Sequence, residues 1–80
     1  MNRIEYELSE KVIDSIYHQG IEKYNEITDR LSKKWDEIGR PTNIDDYIPS
    51  GVEISLVEAE YHLRNGYIDA ADSALKRCDA

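Results

Sequence analysis

The apolar residues in the first half of the chain recur at intervals of three and four residues, which is the period of an α-helix. They form one stripe, which consists of Ile13, Tyr17, Gly20, Tyr24, Ile27, Leu31, Trp35 and Ile38. Gly39 and Pro41 follow the stripe and favour a helix end, because glycine accepts a left-handed conformation and proline cannot continue the helical hydrogen bonds. The pattern predicts a long amphipathic helix over residues 9–38 with Leu31 and Trp35 in the core, and Ser9 is a suitable N-cap.

Two features of this first helix leave alternatives open. Gly20 lies in its middle and can divide it into two shorter helices, since glycine is a poor helix former. Residues 3–8 alternate between polar and apolar side chains, which is typical of a short strand. A capping box of Asn2 and Glu5 is the competing interpretation, and it would start the helix earlier.

Two shorter helices are predicted after a connector over residues 40–50, which contains both prolines. Ser50 and Glu53 have the spacing of a capping box, so we expect a helix over residues 51–64. Asn65 and Gly66 suit the turn into a third helix over residues 68–78, and this short turn predicts an antiparallel hairpin.

The preferred fold is a single all-α domain over residues 1–80, a small three-helix bundle. The predicted second helix has apolar positions on two faces, so it needs cover on both. Residues 52–57 also alternate with period two. The alternative is therefore an α+β fold in which short strands at 3–8 and 52–57 pair.

The predicted hairpin resembles a single tetratricopeptide repeat. Ala59 and Ala71 stand where that repeat prefers small residues, and Gly66 stands at its turn. Ser55 and Cys78 depart from the pattern, which has a bulky residue and an alanine there. No second copy follows at the repeat length of about 34 residues, so the resemblance implies hairpin geometry and not a repeat array.

The negative charge is concentrated in the second half of the chain. Residues 1–40 contain nine acids against seven bases, whereas residues 41–80 contain eight acids against three bases, and the net charge is −7. Such a surface repels nucleic acid and attracts basic proteins. Exposed tyrosines among carboxylates are typical of binding patches. The predicted partner-binding residues are Asp45, Asp46, Tyr47, Glu53, Glu58, Glu60 and Tyr61.

These features predict a non-enzymatic protein interaction domain. The favoured hypothesis is a small acidic inhibitor or modulator that binds a basic surface of a nucleic-acid-handling protein by charge mimicry. A nuclease, a polymerase or a defence-complex subunit is such a partner, by analogy with phage anti-defence and immunity proteins. The alternative is an oligomeric helical adaptor, for example a homodimer, that uses the long first helix.

The residues with reactive side chains predict neither catalysis, nor a cofactor, nor a metal site. His18 and His62 each follow a carboxylate by four residues, Asp14 and Glu58 respectively, and are expected to form solvent-exposed ion pairs. Cys78 is the only cysteine, which excludes an intrachain disulfide and suits a reducing, cytoplasmic setting. The charged start of the chain and the lack of a long apolar run predict neither a signal peptide nor a membrane span.

Overall fold

The computed structural model describes residues 4–41, 46, 48–49 and 51–79, and this part of the chain is helical without strands. Its helices are α1 (Glu10–Gln19), α2 (Ile21–Ile38), α3 (Val52–Arg64) and α4 (Ile68–Asp79). The all-α prediction is confirmed. The alternative with strands is wrong, because residues 4–9 form no regular element and residues 52–57 lie within α3.

The predicted long helix is divided at Gly20, so the described residues form four α-helices where three were expected. Gly20 has φ 120° and ψ 105°, a backbone conformation that residues other than glycine rarely adopt. Its amide donates to the carbonyl of Ile16 and its carbonyl accepts from the amide of Tyr24. One residue therefore ends α1 and begins α2, and the chain changes direction there without a linker.

The two predicted N-caps have different outcomes. Ser9 caps α1 as predicted, since its Oγ accepts a hydrogen bond of 3.3 Å from the amide of Val12. The N-cap of α3 is Gly51 and not Ser50, and it makes no side-chain cap hydrogen bond. Helix α3 thus begins one residue later than predicted, and Ser50, with the capping box predicted for it, lies outside the described residues.

All four helices contribute to one apolar core. Leu31 and Trp35 of α2 are buried, as predicted from the stripe. The small side chains of Ala59 on α3 and of Ala71 and Ala74 on α4 are fully buried, which allows close packing within the hairpin. The other buried apolar residues are Ile16, Ile27, Leu56, Leu63, Ile68 and Leu75.

The alternating residues before α1 form an extended segment that packs on the helices, and we call residues 4–9 the N-terminal strap. Ile4, Tyr6 and Leu8 contact the core, while Glu5 and Glu7 face solvent. The amide of Ile4 donates to Ser32 Oγ at 2.9 Å. The period-two pattern therefore reflects one buried face against α2, and not pairing in a sheet.

The turn between α3 and α4 packs closely on α1. Gly66 has φ 81°, and a Cβ at this position would lie 3.3 Å from Val12 Cγ1. Gln19 Nε2 donates to the Gly66 carbonyl at 2.7 Å. Glycine is thus required here both by its backbone conformation and by the close approach of α1.

We expect Gly66→Ala to lower the free energy of unfolding by about 1–2 kcal/mol from the left-handed backbone alone, and by more because Val12 must move. Gly39→Ala is the matched control, since Gly39 has φ 83° but open space around its Cβ position. Urea denaturation of the two variants measures the difference. Equal losses would contradict a contribution from the contact with α1.

Candidate protein interaction site

Glu60, one of the predicted surface residues, lies in the interior with 2% of its surface exposed, which corrects the prediction. Its Oε1 accepts from Arg40 Nη2 at 2.6 Å and Nε at 3.2 Å, and from the hydroxyl of Tyr6 at 3.1 Å. The physical reason is its place on α3, four residues after Leu56 and three before Leu63, on the side that faces the core. We call Tyr6, Arg40 and Glu60 the buried triad after the buried Glu60 carboxylate on which they meet; Tyr6 itself is half-buried and the Arg40 side chain is 33% exposed.

The buried triad joins the strap, the segment that follows α2 and the helix α3. Burial raises the pKa of the Tyr6 hydroxyl far above its ordinary value, and the negative charge of Glu60 raises it further. Tyr6 therefore acts as a neutral hydrogen-bond donor. The Glu60 carboxylate is consequently a structural group and is not available to a partner.

The remaining predicted residues are only partly brought together. Glu58 and Tyr61 lie exposed on the outward side of α3, where Ile54 is also exposed, and Glu53 is half-buried. Asp46 is exposed in the connector. Asp45 and Tyr47 lie outside the described residues, so the structure does not place them on this surface.

The histidines do not form the expected contacts among the described residues. Glu58 binds Arg77 of α4 instead of His62. The His62 ring lies edge-on between Tyr61 and Tyr67, with ring centroids 5.8 and 6.3 Å away. His18 is exposed on α1, and no ion pair with Asp14 is seen in the described part of the chain.

Some acids of the second half are bound by bases of the first half. Among the described residues, ion pairs between the two halves join Lys23 to Asp69, Arg30 to Asp72, and Arg40 to Glu60. Two further pairs lie within the hairpin, where Lys76 binds Asp72 at 3.2 Å and Arg77 binds Glu58. Asp46 is also engaged in an interaction. Four of the eight acids of the second half are therefore paired with bases within the fold: Glu58, Glu60, Asp69 and Asp72.

The pKa values of two groups are shifted by this ion pairing. Burial alone would raise the pKa of Asp72, but hydrogen bonds from Arg30 and Lys76 outweigh it and hold this pKa below its ordinary value. The hydrogen bond to Asp69, together with the charge of that carboxylate, raises the pKa of Lys23. In both cases the charged form is favoured.

Ion pairing lessens the charge asymmetry that the sequence shows. Among the described pairs, three cations of residues 1–40 bind acids of residues 41–80. Fewer cations therefore remain for the acids of the first half than the count of nine acids against seven bases suggests.

Four exposed carboxylates lie in the strap and in α1, and none of them was among the predicted binding residues. They make no ion pair within the described residues, and we call them the N-terminal acidic face: Glu5, Glu7, Glu10 and Asp14. Lys11 is the only lysine or arginine between residues 4 and 22. The sequence contains a local signal for this group, the excess of acids over bases between residues 4 and 21, but the near balance of charge over residues 1–40 obscures it.

The described residues contain no group of three or more histidine, cysteine or acidic side chains that could hold a metal ion. None of the described helices combines the length and the apolar character that crossing a bilayer requires. Comparison of the chain with protein-family models, with curated proteins and with solved structures finds no match.

Proposed function

We propose that this protein is a non-enzymatic interaction domain that binds the basic surface of a partner protein through electrostatic attraction. Proteins that handle nucleic acid present such surfaces, because they neutralise phosphates with lysine and arginine. The proposed role is that of an inhibitor or modulator that occupies such a surface.

One observation carries this proposal: the carboxylates of the N-terminal acidic face are exposed and have no ion-pair partner among the described residues. Unpaired acids of one sign raise the local concentration of a basic partner and speed its association. Acids already paired within the chain contribute much less, since their charge is balanced a few ångströms away. For this reason the proposal places the binding surface on the N-terminal third instead of on α3.

The adaptor alternative receives less support. It requires a long, continuous helix whose apolar stripe is free to meet another helix. Gly20 divides that helix, and Ile27, Leu31 and Trp35 of the stripe are buried within the chain itself. A second copy therefore has no access to the centre of the stripe without unfolding.

The proposal is tested by affinity capture from the native host with two variants that each lose four negative charges. The first replaces the N-terminal acidic face with amides (Glu5→Gln, Glu7→Gln, Glu10→Gln, Asp14→Asn). The second changes acids of the originally predicted surface (Asp45→Asn, Asp46→Asn, Glu53→Gln, Glu58→Gln). We expect a captured basic protein to be lost from the first variant and kept by the second.

The captured protein is then purified, and its binding is measured at several salt concentrations. Affinity should fall as salt rises, because exposed charges are screened over about 8–10 Å near physiological ionic strength. Electrostatic binding would be contradicted by a partner that both variants capture as well as the parent does, or by an affinity that does not change with salt concentration. A partner lost equally from both would show that net charge matters and that the N-terminal acidic face does not.

A further inference from the structure

The outward side of α1 combines unpaired carboxylates with exposed apolar side chains. Glu10, Ile13, Asp14 and Tyr17 follow one another at steps of three, one and three residues, so they share one face of the helix. Tyr17 is 64% exposed and Ile13 is 38% exposed. We call these four residues the α1 face.

The α1 face is turned away from the contacts that hold α1 in the fold. Ile16 is buried and Val12 lies against Gly66, so the inward side of the helix is occupied by α2 and by the α3–α4 turn. Tyr17 and Ile13 thus remain accessible without a change in the fold. An exposed tyrosine beside an isoleucine offers a contact with little loss of side-chain entropy.

We infer that the α1 face is the docking surface for an amphipathic basic helix of the partner, an inference that rests on the proposed function and specifies its contact. Charge complementarity selects the partner chemistry: lysine or arginine side chains pair with Glu10 and Asp14, which have no ion-pair partner in the described chain. Apolar side chains between those cations pack on Ile13 and Tyr17.

The size of α1 limits the strength of this contact. Its ten residues span about 15 Å, so two or three turns of a partner helix fit along it. Such a contact falls below the roughly 1,200 Å² of buried surface that stable complexes reach. The α1 face therefore gives a transient, salt-sensitive interaction in which charge sets the association rate and Tyr17 sets the lifetime.

The test is a titration of ¹⁵N-labelled protein with a synthetic helical peptide that has leucines on one face and lysines elsewhere. A control peptide has the same composition, but its leucines are scattered around the helix. We expect amide shifts to concentrate at residues 10–18, and the scattered peptide to bind more weakly. Equal binding of both peptides, or shifts centred on α3, would overturn the inference.

Two variants separate this inference from the proposed function. Asp14→Asn with Tyr17→Ala should weaken binding of the leucine–lysine peptide about tenfold or more, which corresponds to roughly 1.4 kcal/mol. The matched variant on α3, Glu58→Gln with Tyr61→Ala, should bind within about twofold of the parent, a change of less than roughly 0.5 kcal/mol. If the α3 variant alone loses affinity, the α1 docking site is wrong, although binding of a basic partner stands. If the natural partner binds the variant without the N-terminal acidic face as tightly as it binds the parent, the proposed function is wrong as well.

Discussion

Replacing Arg40 with methionine should lower the free energy of unfolding by about 3–5 kcal/mol, the usual cost of removing one member of a buried ion pair. The change leaves the Glu60 carboxylate, which is 2% exposed, without its cation. Methionine keeps much of the length of the arginine stem, so packing changes little. Urea unfolding followed by circular dichroism measures the loss, which is a large share of the total for a domain of this size.

The opposite half of the pair provides a control with a different expected result. Glu60→Leu removes the buried charge, and Arg40, whose side chain is one-third exposed, can turn to solvent. Filling the site with an apolar group often costs little, so we expect Glu60→Leu to be milder than Arg40→Met. The double variant should recover most of the stability that Arg40→Met loses. Equal damage from both single changes would contradict the asymmetry in burial.

The buried triad also explains why the strap stays in place. The Tyr6 hydroxyl donates to Glu60 of α3, and the amide of Ile4 donates to Ser32 Oγ of α2. Two hydrogen bonds therefore fix the strap to these helices. The apolar side chains of the strap add burial between these two bonds. The strap thereby holds Glu5 and Glu7 on the folded domain, along α2 and α3, with both carboxylates exposed.

Local patterns in the sequence predict most of the helices because the signals for them are local. The bounds of α3 and α4 lie within one residue of those expected, and Ser9 caps α1. The sequence does not decide whether the helix breaks at Gly20, because a mid-helix glycine is compatible with a continuous helix as well. What decides is the backbone of Gly20 itself, with its positive φ, which the sequence permits but does not require.

The candidate site could be predicted only in part because electrostatics is not local. Glu60 and Arg40 are 20 residues apart, and Glu60 and Tyr6 are 54 residues apart, so no sequence window contains the buried triad. A carboxylate on a helix is normally exposed. The residue type of Glu60 therefore predicts exposure, although its position on the same side of α3 as Leu56 and Leu63 favours burial. The net charge follows directly from the sequence, but the distribution of charge over the surface depends on the ion pairs between the two halves.

Leu31→Ala should lower the free energy of unfolding by about 2–5 kcal/mol, because a fully buried leucine leaves a cavity that its neighbours fill incompletely. Leu31 is 0% exposed in the centre of α2 and lies one turn before Trp35. Ile38→Ala is the matched control on the same predicted stripe, but its side chain is 45% exposed. Exposed positions usually change stability by less than about 0.5 kcal/mol.

Trp35 is the only tryptophan, so its fluorescence follows unfolding of both variants at the site itself. Similar losses in the two variants, or emission from native Trp35 that is already red-shifted and freely quenched, would show that the stripe is an open surface and that the core is not built around α2.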